Sequence, residues 1–542
     1  MDLRRLTGVF TVLRLGKRGW FAVWLVVVCG FALLHALHLG ADFPNRTVWH
    51  SDWAKYTDEG WYGNAAVRAL LTGNWYQDGD FNPAAALPVW PALEWIVFTF
   101  AGVSLEAARG LAVFFFFANL ALSYLLLRAN GPRWRGLLAM TLLATSPFLY
   151  AFSRLAILEP LLTTLTLTAL NVAVRLPRLR RPALAAAGIG LLYAAMMLTK
   201  TTAVFLLPAL AWALVLPLLR KDSSGDRPWK KALACTAAAG AAAAMGYGLW
   251  MALIARAGLM EDYRYLFFIN TYEKPIQWWW PALSFWWSFH GGLWVDHILV
   301  PLAGVLALMA LVSCGTQWGR KLLLDPVFGA SVLAIVGYIG FMTLQNHPQP
   351  RYFAVVAVFC FLLVAVGVEA LVAQGGVMRK LGWGVLVLTV GAVVSNAAWT
   401  VSYAAFPEYT FVTAARNLTR YVDTHPNGKR LLVSISGDQI EMETHLPTLC
   451  DDFGTMPLET KLAAYQPGWY AAWNDLDPGT LADLHTHFRL EQVASFRAFD
   501  DPERNVLVLF KLHPLPKGHV RDEGDTDLEG VLPDDRIDIP IE

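Results

Sequence analysis

The sequence predicts a polytopic α-helical membrane protein of about eleven spanning helices, followed by a small α/β domain that stands in water. Three observations predict it. The 542 residues are 56% hydrophobic and only 16% charged, whereas soluble chains run nearer ~45–50% apolar and ~25% charged. Apolar runs of spanning length recur from residue 20 to residue 403. After Tyr403 the composition turns to that of a soluble domain.

The N-terminus carries Arg4, Arg5, Arg14, Lys17 and Arg18 ahead of the apolar run 20–40. That run is too long for a secretory leader and lacks a small-x-small cleavage site, so it reads as a retained first span. A spanning helix takes about 20 mainly apolar residues. Ten further runs qualify: 107–128, 136–152, 156–175, 183–199, 201–219, 232–257, 297–315, 328–345, 352–374 and 380–403. The stretch 88–103 is shorter and contains Pro88, Pro91 and Glu94. Lys and Arg concentrate in cytoplasmic loops. With 88–103 left out of the count, the basic loops 128–135, 175–181, 220–231, 320–321 and 379–380 all fall on the side of the basic N-terminus. Counting it as a span moves all five outside. The segment therefore reads as juxtamembrane or re-entrant, and the protein as a multi-pass chain of the cell (inner) membrane. Its N-terminus is cytoplasmic and its C-terminal domain extracytoplasmic. Residues 1–403 form the transmembrane module, with 41–106 as first external loop.

Beyond it, 407–424 has a helical pattern, and Arg430-Leu431-Leu432-Val433-Ser434-Ile435-Ser436 reads as a short buried strand after Asn427-Gly428. Another helix is expected near 479–487. The runs 488–499 and 505–512 pair as a hairpin around Asp500-Asp501-Pro502. Residues 404–512 thus form an extracytoplasmic α/β domain of ordinary size. The tail 513–542 has too few large apolar groups to pack and is expected to be disordered.

Some chemistries are absent from the pattern. The net charge of +1 and the placement of basic residues between apolar runs give no nucleic-acid footprint. Of the five cysteines, Cys29, Cys235, Cys314 and Cys360 lie in apolar runs and Cys450 stands alone beyond them, so no disulfide framework is implied. No Walker, Rossmann, CxxC or Gly-x-Ser-x-Gly pattern and no zinc-like His/Cys spacing occurs. Asn45-Arg46-Thr47 and Asn417-Leu418-Thr419 match the glycosylation sequon as short, accidental matches do.

The polar residues that need explaining lie in the external loops. Asp58 and Glu59 are adjacent acids in Tyr56-Thr57-Asp58-Glu59-Gly60-Trp61-Tyr62-Gly63-Asn64, the start of a short amphipathic helix. Adjacent carboxylates point in different directions, so each would have its own task; a solvated loop carries such pairs too. Arg154 and Glu159 sit at a junction of two spans, where an interfacial salt bridge is the plain reading. Lys200 at a tight outer turn and Arg351 at the mouth of the tenth span are, singly, what snorkelling cations look like. Together with the acids they have the makings of a phosphate clamp beside a carboxylate that activates a nucleophile. The loop 258–296 concentrates Trp278, Trp279, Trp280, Trp286, Trp287 and Trp294, as an interfacial belt does, or a platform for sugar rings or an isoprenoid chain.

These motifs, in this order, resemble a known family. A basic N-terminus and one span precede Asp58-Glu59 and Tyr62. Ala69-Leu70-Leu71-Thr72-Gly73-Asn74-Trp75 follows, then Asn82-Pro83 leading into the apolar run that begins at Pro88. This is similar to the first external loop of GT-C glycosyltransferases, most of all the protein O-mannosyltransferase and lipid A aminoarabinose transferase branch. Ser153-Arg154 with Glu159, Leu198-Thr199-Lys200 and Arg351-Tyr352 resemble that branch's later motifs, with Glu159 standing where aspartate is the more usual acid. The resemblance spans residues 1–403; the C-terminal domain resembles nothing named.

What it implies is a GT-C fold and an enzyme that takes sugar from a polyprenyl-phosphate-linked donor at the outer membrane face, inverting the anomeric carbon. Asp58 would be the general base on an acceptor hydroxyl. Lys200 and Arg351, with Tyr352 and an orienting Arg154, would hold the donor phosphate; Glu59, Tyr62 and Glu159 would contact acceptor or sugar. The acceptor is a glycan, a lipid or a protein. No metal site is assigned, although paired carboxylates also suit Mg²⁺ or Mn²⁺ and leave a divalent cation open. The rival readings are a transporter or flippase of lipid-linked glycans and a membrane-anchored binding module. Ionisable groups of a transporter sit near the midplane, where these spans carry almost none, and an anchor needs far fewer helices.

Overall fold

The computed structural model describes residues 17–44, 49, 51–219, 228–269, 277–279, 281–283, 285–286, 296–344, 349–499, 501 and 504–516. Most of the tryptophan-rich loop, His347, the Asn45 sequon and the tail from 517 lie outside them.

Each of the eleven apolar runs falls mostly on helix among the described residues. Among the described residues seven helices are long and apolar enough to cross a membrane, with Gly19–Leu34, Val89–Ala101 and Leu299–Val312 as shorter apolar ones. The first α-helices among the described residues are α1 (Lys17–Leu34), α2 (Asp58–Leu71) and α3 (Val89–Ala101). At 1.5 Å per residue the thirteen residues of α3 reach about 20 Å against a hydrocarbon core of about 30 Å. Then come α4 (Leu105–Arg128), α5 (Arg133–Ala144), α6 (Pro147–Phe152), α7 (Glu159–Ala173) and α8 (Pro182–Thr199). One expected span, 136–152, is two helices. Pro147 has no N–H to donate and clashes with the preceding turn, so α5 ends at Ala144 and Ser146 caps α6 by accepting from the Leu149 N–H at 3.2 Å.

The helix Phe353–Val372 is the hub. Buried residues make up 83% of the span Pro350–Val372, against 11% for Pro228–Arg256 and 17% for the span starting at Gly376. Those two helices present Leu233, Met245, Val387 and Val394 outward, an apolar face suited to lipid.

The C-terminal part carries a five-stranded mixed sheet: β1 (Lys429–Val433), β2 (Thr448–Leu449), β3 (Pro467–Trp473), β4 (Phe488–Arg497) and β5 (Val506–Pro514), in the order β2-β1-β3-β5-β4. β1 runs parallel to β2 and β3; β5 runs antiparallel to β3 and β4. Helices Thr410–Thr424 and Pro478–His487 lie where the pattern placed helix. The central β3, buried along its whole length, and the helices Gly437–Thr444 and Leu458–Tyr465 were not foreseen. All five cysteines are free.

The first loop ties the two parts together. Asp42 accepts from the backbone N–H groups of Thr410 at 2.9 Å and Phe411 at 3.1 Å, satisfying orphan donors at the start of a helix as a capping carboxylate does.

Candidate active site

Four separate segments bring charged side chains to one place. α2 carries Asp58 in its first turn and Tyr62 one turn later, at i and i+4 on one face. α7 begins at Glu159, where the N-terminal dipole favours an acid, and Pro160 occupies a position whose N–H has no helical partner anyway. Lys200 caps the end of α8. Arg351 and Tyr352 lie in the short 3₁₀ turn Pro350–Tyr352 that enters the hub helix.

Arg351 organises the group. Its Nε lies 2.9 Å from Asp58 Oδ2. Its Nη1 donates to Asp52 Oδ1 at 2.8 Å, and its backbone N–H to Asp52 Oδ2 at 2.7 Å. Asp52 Oδ1 also accepts from the Ala54 N–H at 2.8 Å, capping the turn that delivers the chain to α2. Lys200 pairs with Glu159 and stands 4.4 Å above the Tyr352 ring, while the Arg351 guanidinium lies 4.8 Å from the same ring. Such cation–π contacts strengthen where water is excluded, and Asp52, Asp58, Glu159, Lys200 and Arg351 are all buried.

Three carboxylates here face two cations. Burial pushes the Asp58 carboxyl above its usual range, Arg351 and Lys200 pulling it down and Asp52 and Glu159 pushing it up. The Tyr62 phenol is driven well above its usual value by burial and by Asp58, and stays neutral. Beside Glu159, whose Oε2 has no hydrogen-bond partner, a small cavity is bounded by Phe152, Ser153, Asn119, Thr163 and Ala354.

Six of the residues expected from sequence are therefore brought together: Asp58, Tyr62, Glu159, Lys200, Arg351 and Tyr352. Two are not. Glu59 takes a two-pronged grip from Arg109, Nε to Oε1 at 2.7 Å and Nη2 to Oε2 at 2.6 Å. It also accepts from the Ala156 N–H at 2.8 Å and the Gln439 amide at 3.2 Å. Arg154 donates to the Tyr150 hydroxyl and to the carbonyls of Leu37, at 2.7 Å, and His38. Nor do Arg154 and Glu159 pair with each other, since Lys200 takes Glu159. Both knit the loops that frame the site. Asp52 was missed: an acid six residues before Asp58 carries no signal until position 351 folds against it. Arg109 was legible, being an arginine inside an apolar run. Among the described residues no three His, Cys, Asp or Glu side chains are grouped to hold a metal ion.

The chain is built as a helical module in which α2 presents an acid to cations from later segments, with a small mixed-sheet domain behind it, and this fold is shared with proteins of known structure. Solved structures of ArnT from Cupriavidus metallidurans match it along nearly their whole length. The apo form has a TM-score of 0.57 at 12% identity, covering 90% of this chain and 98% of that one. The form bound to undecaprenyl phosphate has a TM-score of 0.58 at 12% identity, covering 91% and 98%. The Archaeoglobus fulgidus oligosaccharyltransferase AglB, in complex with an inhibitory peptide and a dolichol-phosphate, matches with a TM-score of 0.51 at 14% identity, covering 84% of this chain and 70% of that one. No family model and no curated protein matches the sequence.

Proposed function

We propose that the protein is a glycosyltransferase that moves a sugar from a polyprenyl-phosphate-linked donor to an acceptor hydroxyl on the extracytoplasmic face, with inversion. The observation that carries this reading is the meeting of a buried aspartate, Asp58, with two buried cations, Arg351 and Lys200, at the ends of apolar helices. The match to a fold solved with undecaprenyl phosphate supports the donor class.

In this mechanism the acceptor oxygen attacks C1 of the sugar from the side opposite the phosphate. The bond from C1 to the phosphate oxygen breaks, and its electron pair leaves with the polyprenyl phosphate. The hydroxyl proton passes to Asp58. Arg351 and Lys200 stabilise the charge that grows on the departing phosphate, held in place beforehand by Asp52, Glu159 and the face of Tyr352. A phosphate is already a good leaving group, so a single displacement suffices and inverts the centre. Glu159 Oε2 and the neutral Tyr62 hydroxyl are the groups left to meet sugar or acceptor hydroxyls. A divalent cation at Asp52 and Asp58 would have to take the place Arg351 fills.

Mass spectrometry of envelope lipids, glycans and proteins tests the reading in cells. We expect one sugar modification that is present with the wild type and absent with Asp58→Asn made at equal level. Identical envelopes with and without the active protein would sink it.

A further inference from the structure

α2 is gripped on the face that points away from the site. At 3.6 residues per turn, Asp58 and Tyr62 share one side, while Gly60, Gly63, Asn64 and Arg68 share the other. That other side meets helix Gly437–Thr444 of the C-terminal domain. A Cβ on Gly60 would lie 2.2 Å from the backbone nitrogen of Gln439, and one on Gly63 2.6 Å from the Met442 methyl. Asp438 accepts from Asn64 Nδ2 at 3.0 Å and from Arg68 Nη2 at 2.9 Å. Gln439 Nε2 donates to Glu59 Oε2, on the residue next to Asp58. Arg68 also pairs with Asp80 at 2.7 Å, and Asp80 with Lys461 at 3.0 Å, so the contact continues along the helix. All of these polar side chains are buried.

We propose that Gln439 and Asp438 are positioning residues for the transfer reaction. With Gly60 they fix the height and rotation of α2, and so the place of Asp58 relative to Arg351. This assigns the C-terminal domain a part in the chemistry, and it rests on the function proposed above. Close approach at Gly60 is what makes the grip tight: backbone lies against backbone, and no side chain can yield. A merely adhesive contact would tolerate a small shift, whereas a general base moved by about 1 Å loses on the order of 100-fold in rate.

The test uses the full-length protein in lipid nanodiscs, with Gly60→Ala and Gln439→Ala. Gly188→Ala, where a Cβ meets nothing within 4 Å, is the control. Gly60→Ala is expected to lower kcat about 10- to 100-fold and Gln439→Ala several-fold, with KM for a polyprenyl-phosphate sugar changed less than about twofold. Lys200 and Arg351 come from segments other than α2, so donor affinity should survive. Amide exchange is expected to rise across 59–68 in both variants and to stay unchanged in Phe353–Val372. Wild-type kcat in Gly60→Ala, an effect confined to KM, or unchanged exchange in α2 would overturn the proposal. A wild type inert towards polyprenyl-phosphate sugars would instead overturn the proposed function, while the exchange measurement still decides whether the domain holds α2.

Discussion

Asp58 sits between two demands. As a base it must be ionised at working pH, and as a buried group it resists ionisation; Arg351 at 2.9 Å reconciles them in part. Because burial wins, the proposed base titrates above the ordinary aspartate value of about 3.9. The kcat/KM of the wild type should therefore fall as pH drops through a midpoint above that value. A flat acid limb down to pH 4 would contradict the assignment. In the proposed mechanism Lys200 meets the donor phosphate. Lys200→Ala should raise the apparent KM for the lipid donor about tenfold or more, and donor titrations with unchanged half-saturation would remove it from the site. Of these residues, Asp58, Lys200 and Arg351 were legible as charges in otherwise apolar or external segments. Asp52 was not, because its reason for being there is Arg351, 299 residues away.

At the scale of elements, α2 is the piece on which both halves of the molecule act. Arg68 lies between Asp80 and Asp438, all three buried. Removing one member of a buried ionic group strands the others, at a cost of about 3–5 kcal/mol. Arg68→Ala should accordingly lower the thermal unfolding midpoint in detergent by several degrees, and adding Asp438→Ala should recover part of the loss. A midpoint unchanged by Arg68→Ala would mean water reaches the cluster. Helices were the legible elements, since apolar length alone marks them. The break at Pro147 was written in the sequence too, and the run of apolar residues on both sides masked it. β3 escaped for the opposite reason: buried on both faces, Trp469, Tyr470 and Trp473 show no alternation, so the strand has no period to detect.

For the whole molecule, the ionisable cluster begins at the start of α2, the helix against which the C-terminal domain packs. That domain brings its own titratable groups to the junction. Burial, with Asp438 adding, pushes Glu441 up to about 7 from 4.5, against the pull of Arg68. A raised carboxyl contributes stability below its unfolded value, and that contribution is lost as pH rises through about 7. Glu441→Gln should therefore stabilise the protein at pH 8 relative to wild type, by at most about 3 kcal/mol, with the advantage vanishing near pH 4.5. Equal midpoints at pH 8 would place Glu441 in water.

The most direct test of the central claim is transfer by the purified protein from a synthetic polyprenyl-phosphate sugar, wild type beside Asp58→Asn, with the product anomer read by NMR. An inverted product is expected from the wild type and none from an Asp58→Asn variant that remains folded. Undiminished transfer by Asp58→Asn, or a product of retained configuration, would contradict it.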